Sequence, residues 1–161
     1  MATTLGNVTS TGNVRVATLG TGKDLTVAGD VRYTGTGGHA ANLSASGAFV
    51  MSAGANVRAT SGAADIEVVA DNATIDAAAN VVTTGAGVIV FRPATASHAI
   101  ELGAGAADGV GTLGLTDAEL ARLQADYIRI GGASQAGNVK VVGAAPFANA
   151  GAAGTLTLQT Q

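Results

Sequence analysis

The sequence predicts an all-β chain wound as a parallel β-helix, or β-solenoid, with one short α-helix in its C-terminal third. Three observations predict it. A short phrase recurs: Asn or Asp, an apolar residue, usually a polar one, then often another apolar one. The strands so marked run three to five residues, with corners every six to eleven. That spacing is short for the hairpins of a sandwich and suits the sides of a solenoid, where each coil stacks on the last. The third observation is composition. The 161 residues include 24 Gly, two Tyr, three Phe, no Trp and no Cys; 47% are hydrophobic and 12% charged. The charged share is about half the usual one. Disorder needs few apolar residues, and here they are abundant. Small residues suit a narrow interior, and many Gly imply many turns with positive φ.

The phrase appears at Asn7-Val8, Asn13-Val14-Arg15-Val16, Asp24-Leu25-Thr26-Val27 and Asp30-Val31-Arg32-Tyr33. It returns at Asn42-Leu43, Asn56-Val57-Arg58-Ala59, Asp65-Ile66-Glu67-Val68, Asn80-Val81 and Asn138-Val139-Lys140-Val141. Strands without the leading residue are expected around Phe49-Val50-Met51, Thr74-Ile75, Val88 to Phe91, Ile100 to Leu102 and Thr155 to Leu158. Apolar residues two apart share one face of a strand. Asn and Asp bond their own turns and tolerate left-handed backbone, so they are expected to mark corners. A longer period is visible between 42 and 91. Leu43, Ile66 and Ile89 are 23 apart, and Asn56 and Asn80 are 24 apart. A coil of that length holds three short strands. At ~4.8 Å per coil, roughly six or seven coils would stand on the order of 30 Å tall.

Residues 103–114 and 142–154 read as loops, the second fixed only by Pro146 and by Phe147, which is placed to cover an open patch of core. Between them lies LTDAELARLQADYIRIG, residues 115–131. Thr116 as N-cap with Glu119 three residues on makes a capping box, and Leu115 with Leu120 a hydrophobic staple. Asp117 and Glu119 suit the positive end of the helix dipole. Glu119 and Arg122 are spaced to pair. The helix is expected near 117–124. Tyr127-Ile128-Arg129-Ile130 then alternates with period two, as a strand does.

The run GLTDAELARLQADYIRIGG, followed by GNVKVVG, resembles a segment of large secreted bacterial exoproteins of the filamentous haemagglutinin type. The likeness is motif-like over 113–143 and one of style elsewhere. It implies a β-helical segment of a larger adhesin-like protein that leaves the cell by two-partner secretion. The right-handed coil expected here follows from this resemblance and from the handedness of parallel crossovers.

Candidate chemistry is sparse. His39 and His98 stand alone, without the further ligands a metal site needs, and are expected to be solvated. Asp65, Glu67, Asp71 and Asp76 are the densest acidic group, with Asp65 and Glu67 on one outer face. They match no calcium repeat, and a structural role outweighs a glycosidase pair. The segment Gly20-Thr21-Gly22-Lys23-Asp24 lacks the spacing of a phosphate loop, and Gly103, Gly105 and Gly109 miss the dinucleotide spacing. Asn-x-Ser/Thr triplets at Asn7, Asn42 and Asn72 are read as chance. Thr155 and Thr157 do not make the long array an ice-binding face needs. Arg15, Arg32, Arg58, Arg92 and Arg129 fall at outward positions, where they discourage edge pairing; aligned on one face, they could meet an acidic glycan. The eight basic residues form no cluster and the net charge is −3, which disfavours nucleic acid.

The expectation is one domain over 1–161, a segment of a larger protein, with no catalytic, metal or cofactor residues. It has no membrane span and no signal peptide of its own. The role expected is a non-catalytic structural, adhesin-like segment, secreted or at the bacterial cell surface. Its partners would be neighbouring repeats or further copies stacked end to end, or glycans and other cells. A polysaccharide-binding module is the alternative, although Tyr33, Phe49, Phe91, Tyr127 and Phe147 are too dispersed to favour it. A polysaccharide lyase or hydrolase on the same fold ranks below both.

Overall fold

Each recurring phrase folds as one strand, and strands of successive coils stack in register. The computed structural model describes residues 2–36, 38–60, 62–146 and 154–161. The first coil carries β1 (Thr3–Leu5), β2 (Val8–Ser10) and β3 (Val14–Ala17). The second carries β4 (Leu25–Val27), β5 (Asp30–Tyr33) and β6 (His39–Ser44). The third has β7 (Ala48–Met51), β8 (Asn56–Ala59) and β9 (Asp65–Val69), and the fourth β10 (Asn72–Ile75), β11 (Asn80–Thr83) and β12 (Val88–Arg92). Beyond them come β13 (Ala99–Leu102), β14 (Thr112–Leu115), α1 (Asp117–Leu120), β15 (Leu123–Gln124), β16 (Tyr127–Gly131), β17 (Val139–Val141) and β18 (Thr155–Gln159).

Every ladder between these strands is parallel, and the chain forms a β-solenoid of about six turns. Sheet A is β1-β4-β7-β10, sheet B is β2-β5-β8-β11-β15 and sheet C is β3-β6-β9-β12-β16-β18. Sheet D, in the order β14-β13-β17, breaks the simple rule that later strands stack further on. Here β14 follows β13 in the chain yet lies on its far side from β17.

Inward columns make the core. On sheet C, Ala41, Ile66, Ile89 and Ile128 stack, and beside them Leu43, Val68, Phe91 and Ile130. The 24-residue spacing of Asn56 and Asn80 is a true register. That of Leu43 and Ile66 is not, because Leu43 pairs with Val68 and Ile66 with Ala41. Phe49 and Phe91 meet edge to face inside the coil, with centroids 6.0 Å apart. Such pairs contribute about 0.5–1.5 kcal/mol beyond burial.

Corners hold by a device that differs from the left-handed turns expected of Asn and Asp. Among the described residues only glycines have positive φ. The corner side chains instead reach to the next coil. Asn7 Oδ1 accepts from Asp30 N–H, 23 residues on, and Asp24 Oδ1 from Ala48 N–H, 24 on, each at 2.8 Å. Asp65 Oδ1 likewise accepts from Val88 N–H at 2.8 Å and Asp71 Oδ1 from Thr95 N–H at 2.7 Å. In this way the parallel ladder is carried round the bends, where backbone groups would otherwise lack partners. The residue before the donor is often Gly. At Gly47 an added Cβ would come within 2.5 Å of Asp24 Oδ1, and at Gly29 it would collide with Asn7 Oδ1. Asn42, which shares the recurring phrase, is no corner; it lies within β6.

The C-terminal third differs from expectation in extent. The helix covers only Asp117–Leu120, not 117–124, and ends at Ala121. Leu123 and Gln124 pair with Val81 and Val82 as a strand of sheet B. The stretch read as a loop over 103–114 already contains the start of β14, with Leu113 buried. Phe147, and with it the expected cover of the core, lies outside the described residues.

The corner device has a measurable consequence. Asp24→Ala leaves Ala48 N–H without its acceptor and should lower unfolding stability by about 1–3 kcal/mol. Asp24→Asn, which keeps the oxygen, should lose much less. Urea denaturation of the two variants beside the wild type tests this; equal losses would mean that the Asp24 acceptor is dispensable.

Candidate functional site

The four clustered carboxylates are brought into structural bonds, not into one site. Asp65 and Asp71 cap neighbouring coils as described, and Asp76 Oδ1 accepts from Ala78 N–H two residues on. Glu67 projects outward from sheet C. Its Oε1 takes the Arg92 Nε proton at 2.8 Å and its Oε2 accepts from the Asn42 amide. Asp71 accepts from Thr95 Oγ1 as well, at 2.7 Å, and lies 3.3 Å from His98 Nδ1. His98 is therefore not a solvated histidine. It is largely withdrawn from water against Asp71, because the turn after β12 folds it back over that corner. His39 begins β6 in register with Asp65. Among the described residues no group of three or more His, Cys, Asp or Glu is placed to hold a metal ion. Nor is any helix there long and apolar enough to cross a membrane.

The arginines divide between two faces. Arg32 and Arg58 stack directly in register on sheet B, both exposed. Like charges in that position repel. Sheet C presents Arg15, Asn42, Glu67, Val90, Arg129 and Thr157 along one outward column. Arg92 stands in the adjacent outward column, and its pairing with Glu67 is exposed enough to add little stability. Two depressions flank this network. One, of about 250 Å³, is lined by Asn13, Val14, Arg15, Asn42 and Glu67. The other, of about 350 Å³, lies between Arg92 and Arg129, with Gly131, Ser134, Gln135 and Gln159 in its wall. Of the aromatic rings only Tyr127 stands on this face, two residues before Arg129 on β16. Tyr33, Phe49 and Phe91 are buried in the core, and Tyr127 alone of the described rings is exposed.

One pair of carboxylates was not evident from sequence. Asp108 and Glu119 stand between β10 of sheet A and β14 of sheet D. Asp108 Oδ2 accepts from Ala73 N–H at 3.0 Å, and its Oδ1 from Gly114 N–H at 2.8 Å. Glu119 Oε1 accepts from Ile75 N–H at 3.1 Å, and its Oε2 from Thr116 N–H at 3.0 Å. Four backbone donors that would face carbonyls in a continuous ladder thus face two acids. Glu119 makes the capping box expected of it and also binds the sheet behind. It has no pairing with Arg122, whose Nε is buried without a hydrogen-bond partner. The only sequence signal was the capping box itself; Asp108 sits in a glycine-rich loop with nothing to mark it.

The arrangement supplies polar anchoring. The clustered acids of the third and fourth coils, Asp108 and Glu119 each accept bonds from named donors. No protein-family model, curated protein or solved structure matches the chain.

Asp108 gives a pH dependence. Burial pushes its carboxyl above the usual carboxylate range, outweighing the Gly114 and Ala73 N–H groups, which pull it down; Glu119 adds a smaller upward push. A folded pKa above the unfolded one means stability that is full below the unfolded value and is lost as pH rises through the folded value. The stability of the wild type relative to Asp108→Asn, which cannot ionise, should therefore fall as pH rises from acid towards neutral. Urea midpoints of both proteins measured from pH 3 to 7 check the sign; a wild type that gains stability over the variant as pH rises would show that the two N–H bonds outweigh burial.

Proposed function

We propose that the chain is a non-catalytic, structural segment of an adhesin-like protein, secreted or displayed at the bacterial cell surface, that works by continuing its coil. The observation that carries this reading is the state of the two solenoid ends. At one end β17 and β18 are edge strands, and among the described residues no coil lies above their inward-facing side chains. Leu156 is 41% exposed, Leu158 43% and Val141 54%. At the other end β1, β2 and β3 are edge strands, and Leu5, Val8 and Val16 are only partly buried against the core. An edge strand with apolar residues in its inward columns is a template for another strand. Sheet C runs through from one end to the other, so a further parallel strand can add to β3 or to β18. That strand comes from neighbouring repeats of a parent chain or from a second copy of this one.

The sequence resemblance to filamentous haemagglutinin-type exoproteins agrees with this reading, as does the engagement of the clustered acids in structural bonds. A second reading, a polysaccharide-binding module, is favoured by the polar, arginine-bearing face of sheet C.

Electron microscopy of the purified chain at micromolar concentration tests the proposal. End-to-end stacks or fibres with a coil-height repeat of ~4.8 Å are expected, and the double variant Leu156→Lys, Leu158→Lys should disperse them. Dispersed particles of the wild type would remove the support for stacking and turn attention to the sheet C face. Fibres that survive the double variant would show that β18 is not the docking edge.

A further inference from the structure

We propose that the groove between Arg92 and Arg129 is a binding site for a carboxylate-bearing sugar of about the size of one uronate residue. This goes beyond the structural role, and the groove lies on the side of the solenoid, not in its inward columns. Arg92 and Arg129 rise from adjacent rungs of sheet C, on β12 and β16, and both line the groove. Arg92 uses Nε for Glu67 Oε1, which fixes the guanidinium and leaves the terminal nitrogens for a ligand. Among the described residues no ion pair or side-chain hydrogen bond engages Arg129. Two forked donors beside one cavity suit a planar oxyanion, which each guanidinium can grip with two parallel hydrogen bonds.

The walls select what carries that anion. Small residues open the space. At Gly132 an added Cβ would come 3.4 Å from Arg92 Cδ, and at Gly131, with φ +88°, it would run into the Gln159 carbonyl. Ser134 and Gln159 supply a hydroxyl and an amide group, while Gln135 is buried with its amide N–H donated to the His98 carbonyl and shapes the wall. No aromatic or long aliphatic side chain lines the groove, so an apolar acid gains little there. A polyhydroxylated one finds hydrogen-bonding partners. The volume, about 350 Å³, is at the small end of ligand sites.

Isothermal titration of the purified chain with galacturonate, galactose and galactose 6-sulfate tests the site. Galacturonate should bind at roughly millimolar strength, as befits a small open site, and galactose should not bind measurably. Arg129→Gln should weaken galacturonate roughly ten-fold or more, and Arg129→Lys should restore only part of that loss. Arg32→Gln, on sheet B, should change nothing. Equal binding of galactose and galacturonate, an unchanged affinity in Arg129→Gln, or tighter binding of the sulfate would each overturn the assignment. Stacking of the ends is read by a separate measurement and by separate variants, so failure of either proposal leaves the other standing.

Discussion

The constraint on which everything else depends is the parallel ladder between coils. Each strand is too short to be stable alone, and each coil buries its apolar residues only by lying on its neighbour. Register is then strict, because a slip of one residue would turn every inward side chain outward. Strand hydrogen bonds enforce register along the flat sides but run out at the corners. There Asn7, Asp24, Asp65 and Asp71 take over, each offering a side-chain oxygen to an N–H one coil later. The low charge of the chain gains meaning from this. Several of its few acids act as substitute carbonyls within the ladder.

The same logic explains the C-terminal third. The chain leaves β12, lays down β13, and only then places β14 on the side of β13 away from β17. Sheets A and D therefore meet without a regular ladder between β10 and β14. Asp108 and Glu119 fill that seam and satisfy four N–H groups with two side chains. Burial pushes the Asp108 carboxyl up, and the neighbouring Glu119 adds a smaller upward push. The capped helix exists to deliver one of these acids. At four residues, Asp117–Leu120 is far below the length at which a helix is stable by itself. Its capping box and the burial of Leu120 hold it in place.

Much of the fold was legible because period-two alternation survives burial on one side. The strand phrases, the coil length and the capping box all rest on local patterns of that kind. What escaped the sequence was non-local. Leu43 and Ile66 looked equivalent at 23 residues, yet the third coil takes 25 residues from β6 to β9, which shifts the register and pairs Leu43 with Val68. Leu123-Gln124 carries no strand pattern of its own and becomes a strand only because β11 waits beside it. Asp108 had no local mark at all, since its partners Ala73 and Gly114 lie on different strands. His98 looked solvated for the same reason; the Asp71 that covers it is 27 residues earlier in the chain. Of the candidate site, the outward placing of the arginines was readable. The groove between Arg92 and Arg129 was not, because it depends on which rungs become neighbours.

The two proposed surfaces are linked by register. On sheet C the outward column runs Arg15, Asn42, Glu67, Val90, Arg129, Thr157 from one end to the other. If β3 of a second copy added to β18 in the register that β18 keeps with β16, its Arg15 would follow Thr157 in that column. It would then stand two rungs from Arg129, or about 10 Å at ~4.8 Å per rung. Stacking would thus repeat the positive positions along the fibre axis and carry the sheet C face across the junction. A single groove binds one sugar weakly. A row of grooves on one rigid face would hold a polymeric acid by many such contacts at once, since each bound unit raises the effective concentration of the next. Continuing the coil and meeting an acidic glycan are therefore compatible uses of one architecture, and the first would strengthen the second.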